Sequence, residues 1–137
     1  MIASEFKNDM RWRLAQARKL HDLGLIFVPV YGIKDGVCSC AKKAACEKPG
    51  KHPSGDNWVS RGTRDWATIE RWIKAGGTVG LLMRDHIGLD FDGPVGLATL
   101  AYLEGIYPEL RKTLRQRTQG GGVHVIFRAP KELTGEE

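Results

Sequence analysis

Asp90 and Asp92 stand two residues apart in the hexapeptide Ile87-Gly88-Leu89-Asp90-Phe91-Asp92. Alternate residues of a strand share a face, so Ile87, Leu89 and Phe91 point one way and Gly88, Asp90 and Asp92 the other. Two steps of strand rise put the acidic Cα atoms ~6–7 Å apart. Both carboxylates can then hold one Mg²⁺, or each can hold one of a pair of divalent ions, because hard cations prefer carboxylate oxygens. Gly88 keeps that face open for a phosphate. The plain alternative is a strand end, where Asp90 opens a polar turn and Asp92 caps the helix that begins around Pro94.

A second segment, Thr118 to Arg128, runs Gly120-Gly121-Gly122-Val123-His124-Val125-Ile126-Phe127-Arg128 after Thr118-Gln119. Read as a strand, it turns Val123, Val125 and Phe127 to a core and His124, Ile126 and Arg128 to the opposite side. A glycine-rich bend lets backbone approach phosphates closely. His124 can hydrogen-bond a phosphate oxygen, and Arg128 can support it with a charge-assisted contact. The alternative is a hairpin that needs glycine for positive φ, with His124 a half-exposed strand residue.

The three cysteines all lie between Cys38 and Cys46, as Cys38-x-Cys40 followed by Cys46, with His52 close behind. Three thiolates and one imidazole match the tetrahedral Cys₃His set of structural Zn²⁺. A loop so poor in apolar residues has little else to order it, and metal binding can supply ~10–16 kcal/mol to such a segment. Four protein ligands leave no open position, so this zinc is expected to be structural. Surface thiols or a Cys38–Cys40 redox pair are the alternatives; Cys-x-Cys is a poor disulfide spacing.

These groups must be positioned by the surrounding elements. Residues 3–23 form an amphipathic helix pattern, with Phe6, Met10, Leu14 and Ala17 at helical spacing and Gly24 at its end. Leu25 to Tyr31 is a short β-rich run. The stretch 34–62 is turn-rich and polar, and its Pro49, Gly50, Pro53 and Gly55 argue against regular structure. Asp65 can cap a helix from Trp66 to Ala75 with Ile69, Trp72 and Ile73 as its apolar stripe. Val79–Met83 and Ile87–Asp92 read as strands joined by Arg84-Asp85-His86. Gly93-Pro94 starts a helix to about Leu103, with Leu97, Leu100 and Ala101 inward. Leu114–Thr118 and Val123–Ala129 make a last strand pair across the glycine triplet.

The 137 residues suit one domain with one modest core. No apolar run approaches the ~20 residues of a membrane span. Glu5, Lys7 and Asp9 stand where a signal peptide would be apolar, so the protein is expected to stay in the cytoplasm, where metal is favoured over disulfides for its cysteines. The formal charge of +5 suits a polyanionic partner, since Lys and Arg release counterions from a phosphate backbone. Lys42, Lys43, Lys48 and Lys51 make the cysteine loop positive. Trp12, Trp58, Trp66 and Trp72 are read as packing residues, with base stacking as the alternative.

In this order, the segments resemble the N-terminal bifunctional primase-polymerase domain of the archaeo-eukaryotic primase superfamily, common on phages, prophages and plasmids. The resemblance covers nearly the whole chain. Phe27-Val28-Pro29-Val30 looks like the family's start, and Lys51-His52-Pro53 through Trp58 is similar to its Lys-x-Pro…Trp stretch, joined here to a zinc-knuckle insertion over 34–62. Thr63-Arg64-Asp65 with Ile69 and Trp72 matches its next helix. Gly88 to Asp92 resembles its first catalytic motif, and Thr118 to His124 its second, where a histidine contacts the incoming nucleotide's phosphates. The family usually has serine at the place of Gly120. Its third motif is an acidic residue on a later strand, and no aspartate follows Asp92. Residues 1–137 are therefore expected to be the front portion of the catalytic domain, ending before that motif.

The resemblance implies an α/β (α+β) domain, a small mixed or antiparallel sheet flanked by helices. It implies template-directed nucleotidyl transfer from nucleoside triphosphates on single-stranded DNA in phage or plasmid replication, in a bacterial or phage-infected cell, with a replicative helicase as possible partner. Asp90, Asp92 and His124 would be catalytic, the two acids holding Mg²⁺ or Mn²⁺. Gly120, Gly121, Gly122, Arg128 and Lys51 would join His124 in nucleotide binding. Rival readings are a non-catalytic zinc-stabilised nucleic-acid-binding module or replication regulator, and a metal-dependent nuclease using the same carboxylates.

Overall fold

The structure, a computed structural model, describes residues 9–134. The chain forms two compact units, Met1–Leu82 and Met83–Glu137. Both combine helices with small antiparallel sheets, the α/β class expected, and the strands are divided over three such sheets. Among the described residues no helix is long and apolar enough to cross a membrane.

In the first unit, helix α1 spans Met10–Asp22, and the Asp9 carboxylate accepts the Arg11 N–H at 2.9 Å as its N-cap. The expected helical residues 3–8, Phe6 among them, lie outside the described residues. Strand β1 (Ile26–Val30) pairs antiparallel with β4 (Thr78–Leu82), Phe27 opposite Leu81 and Val28 opposite Gly80. Ile26, Phe27 and Val28 are buried in succession, so both faces of this ribbon are covered. Helix α2 (Trp66–Lys74) begins where Asp65 Oδ2 accepts the Thr68 N–H at 2.9 Å, as its sequence predicts. Its Ile69 and Ile73, one turn apart, are buried and α2 packs on α1, which buries Ala17. Full burial of an isoleucine contributes roughly 1.5–3 kcal/mol.

The stretch 34–62 is more regular than its composition implied. Strands β2 (Ile33–Lys34) and β3 (Val37–Cys38) form a hairpin whose two turn residues, Asp35 and Gly36, both have positive φ (52° and 78°). Asp-Gly is a strong signal for such a turn, because its twist matches the flanking strands. Lys43–Ala45 forms one 3₁₀ turn. The loop is stitched to the second edge of β1 by Tyr31 N–H to His52 O (3.1 Å), Ser54 N–H to Pro29 O (2.9 Å) and a reciprocal pair between Phe27 and Thr63 (2.9 Å each). Those bonds satisfy an edge that would otherwise be open.

The second unit is a sheet of order β5-β7-β6, with β5 at His86–Phe91, β6 at Leu114–Arg117 and β7 at Val123–Arg128, all antiparallel. Helix α3 (Gly93–Ile106) covers one face, and a short helix α4 (Lys131–Thr134) follows β7. Phe91, Leu100 and Val125 are the buried cluster, with Leu89, Leu103, Leu110 and Val123 packed around them. Two inward assignments do not hold: Leu97 and Ala101 are exposed, and Leu103 takes the place beside Leu100. Ile126, expected on the open face, is buried, while Phe127 is only half-buried. The strands at 78–82 and 86–91 share a connecting turn but no ladder, each pairing with a distant partner instead.

Candidate active site and metal centre

The ladder of the second unit fixes which side chains meet. Asp90 lies directly opposite His124, and His124 directly opposite Gln116, so one row crosses all three strands. His124 Nε2 is 3.3 Å from Asp90 Oδ1, and the two side chains remain 40% and 57% exposed. The row opens to solvent. Gly88, Ile126 and Leu114 form the next row on that face. Gly88 leaves it uncrowded, since a side-chain carbon there would find its nearest neighbour, the Met83 sulfur, 3.9 Å away.

Asp92 follows the end of β5 with extended backbone (φ −104°, ψ 145°) and occupies the N-cap position of α3. Its side chain makes no capping hydrogen bond. The carboxylate instead sits over Gly122: a Cβ on that residue would overlap Asp92 Oδ1 and lie 2.8 Å from Phe91 O and 3.0 Å from Thr118 Oγ1. Asp92 thus meets the bend-and-strand segment at Gly122, two residues before His124, which Asp90 meets.

Thr118 organises the bend. Its carbonyl accepts the Gly121 N–H (3.1 Å), its hydroxyl the Gly122 N–H (2.9 Å), and its own N–H reaches Gly122 O (3.0 Å). These backbone donors of Gly121 and Gly122 are engaged within the turn. Gly121 has φ +87°, whereas at Gly120 a Cβ would meet nothing within 4 Å. Residue 120 therefore has room for a Cβ.

Arg128 lies on the same face of β7 but pairs with His86, four residues from His124, or ~13 Å along the strand. It does not join the row. Lys51 belongs to the zinc loop of the first unit. Gln116, which has no motif of its own, enters the row through register alone.

The first unit assembles the cysteines with His52. The ligand atoms of Cys38, Cys40, Cys46 and His52 all lie within 4.8 Å of one another. His52 Nε2 is 3.6 Å from Cys38 Sγ and 3.4 Å from Cys46 Sγ. A tetrahedron with Zn–S of ~2.3 Å and Zn–N of ~2.0–2.1 Å has S···N edges of about 3.6 Å, which these two separations match, so this set can bind zinc. Cys38 and Cys40 are buried, and no disulfide joins the three thiols. Burial pushes the Cys38 thiol up, but hydrogen bonds from the Cys40 and Gly50 backbone, the Cys40 side chain and the His52 ring outweigh it and hold the thiol at about 6. Cys46 is pushed up by burial and by the neighbouring Cys40 and Cys38 thiols, against one backbone bond at Lys48. Tyr31 packs against the His52 ring, centroids 4.9 Å apart.

The arrangement combines two exposed carboxylates, an imidazole between strands and a separate closed thiolate–imidazole centre. The carboxylates and imidazole of the second unit are suited to charge neutralisation at phosphates, and the thiolate–imidazole set of the first unit, by itself, to a structural metal. Residues 17–137 match the family Prim-Pol, bifunctional DNA primase/polymerase, N-terminal. The chain belongs to that family. Its function is accordingly of the primase/polymerase type, with DNA and nucleotide as ligand classes. No curated protein and no solved structure matches it.

Proposed function

We propose that Asp90, Asp92 and His124 form the nucleotidyl-transfer site of a DNA primase/polymerase working with nucleoside triphosphates on a single-stranded template. The observation that carries this reading is the pairing of Asp90 with His124 in one row, with the Asp92 carboxylate beside it over Gly122. Both acids are exposed. The open space at Gly88 and the absence of a capping bond at Asp92 fit a divalent-ion site.

Mg²⁺ or Mn²⁺ held by Asp90 and Asp92 would polarise the α-phosphate and lower the pKa of the attacking 3′-hydroxyl. His124 would donate to a phosphate oxygen, its ring held in place by the cross-strand neighbours Asp90 and Gln116. Catalysis would be mainly placement and charge neutralisation. Arg128, farther along β7, would act as a cation on backbone phosphate, and Lys51 of the first unit would contribute a cation to nucleotide binding. Zn²⁺ on Cys38, Cys40, Cys46 and His52 would be structural. The wider setting is replication of phage or plasmid DNA in the host cytoplasm, with a helicase as partner.

The test is a labelled template–primer incubated with Mn²⁺, with and without deoxynucleoside triphosphates. Extension that needs triphosphates supports the polymerase. Shortening of the template in their absence would assign the carboxylates to a nuclease instead, and neither product with unimpaired DNA binding would favour a non-catalytic module.

A further inference from the structure

A cleft of about 570 Å³ opens within the first unit, lined by the zinc loop on one side and the end of α2 on the other. That volume is in the range of ligand sites, ~300–1,000 Å³. Ser39, Ser54 and Lys34 come from the loop, Trp72 and Lys74 from α2. Arg61 joins the two walls: its guanidinium lies over the Trp72 ring at 5.7 Å, and its Nη1 donates to Ser54 O at 2.8 Å.

The lining carries three cations, Lys34, Arg61 and Lys74, and no carboxylate. Lys74 meets Glu70 at 2.9 Å, but both side chains are substantially exposed, and such surface pairs exchange partners at little cost. All three cations are exposed, so the cleft can take a chain that enters and leaves it. Cations beside an aromatic ring suit a nucleotide unit: phosphate against the ammonium and guanidinium groups, base against the planar surfaces of Trp72 and Arg61. The exposed Lys42, Lys43, Lys48 and Lys51 extend the positive charge along the same loop.

We propose that this cleft, built from residues of the first unit alone, is a binding site for single-stranded DNA, and that zinc sets its shape. Ser39 sits between the ligands Cys38 and Cys40 and is fastened to Gly32 by two hydrogen bonds, Ser39 N–H to Gly32 O (2.9 Å) and Gly32 N–H to Ser39 Oγ (3.1 Å). A loop organised by metal therefore carries one wall. The proposal rests on the reading of the chain as a DNA-acting protein, but not on its acidic site.

The experiment measures binding of a short fluorescent oligo-dT to the zinc-loaded chain without added Mg²⁺ or Mn²⁺. Arg61→Ala and Lys34→Ala, both at exposed positions, should each weaken binding by about fivefold or more and flatten its salt dependence. Arg61→Lys should recover part of the loss. Oligo-dT should quench intrinsic fluorescence in the wild type, and Trp72→Phe should remove much of that quench. Binding within about twofold of wild type in both alanine variants would overturn the proposal, being smaller than the loss of even one phosphate contact. So would thymidine triphosphate competing as well as the oligonucleotide, which would make the cleft a free-nucleotide site. Manganese-dependent triphosphate binding by the same variants reports separately on the acidic row: its absence in the wild type, with oligo-dT binding intact, would sink the polymerase reading and leave the cleft standing.

Discussion

The carboxylate of Asp92 occupies the space that residue 122 leaves by having no side chain: a Cβ there would overlap Asp92 Oδ1. The glycine triplet is therefore not uniform. Gly121 is required by its backbone (φ +87°), Gly122 by the acid above it, and Gly120 by neither. Gly122→Ala should displace Asp92 and lower manganese-dependent nucleotide binding by about tenfold or more, the scale of one lost charge-assisted contact. Gly120→Ser should bind as the wild type does. Isothermal titration of both variants checks this, and equal losses in the two would contradict it.

Gln116 stands in the same row as His124 and Asp90, on the outer strand. Gln116→Ala should leave the fold intact, since the side chain is exposed, and should weaken triphosphate binding by a few-fold through looser placement of the His124 ring. A steady-state split would show it as a raised KM with little change in DNA affinity. Unchanged KM would remove Gln116 from the site.

The zinc centre gives a pH signature. Because the Cys38 thiol is lowered to about 6 in the folded chain, its thiolate contributes stability that is complete above the ordinary thiol range and is lost as pH falls through about 6. Zinc affinity should fall over that same interval as protons compete for the ligand. One zinc per chain is expected, with Cys46→Ser losing most of it. Metal analysis and a chelator competition across that pH range check both statements; a stoichiometry near zero would contradict them.

Glu104 ties α3 to the following strand. The Arg115 bond lowers its carboxyl below the usual range, against a smaller upward push from partial burial, and Arg111 adds to the lowering. The stabilisation is therefore present above the unfolded carboxylate value and disappears as pH falls through the lowered folded value. Urea midpoints of wild type and Glu104→Gln should differ at neutral pH and converge in acid. A constant difference would show that packing, not charge, holds this contact.

Much of the candidate site's geometry was legible because it depends on local rules. The alternation 87–92 put both acids on one side of a strand before any partner was known, and Asp65 announced the start of α2. Asp35-Gly36 was equally local, yet the proline and glycine content around it masked a two-residue hairpin. Other features depend on long-range contact. Helix α3 is apolar on nearly every side, so its periodicity could not tell the buried Leu100 from the exposed Leu97. Gln116 carries no motif and became visible only when the β6–β7 register set it against His124. The burial of Ile126 likewise follows from sheet packing rather than from the alternation of its own strand.

Core packing in the second unit offers a control for every site variant. Val125 is fully buried against Phe91 and Leu100, so Val125→Ala should cost about 2–3 kcal/mol from lost burial and the cavity left behind. Chemical denaturation measures it, and a change below about 0.5 kcal/mol, ordinary for a surface substitution, would mean that this cluster is not the core.

The most direct measurement is Mn²⁺ binding in the presence of a deoxynucleoside triphosphate, read by electron paramagnetic resonance for wild type, Asp90→Ala, Asp92→Ala and His124→Ala. The account predicts that either aspartate variant loses the bound-Mn²⁺ signal, while His124→Ala keeps the metal but binds triphosphate more weakly. A bound-Mn²⁺ signal of wild-type size in Asp90→Ala would contradict it.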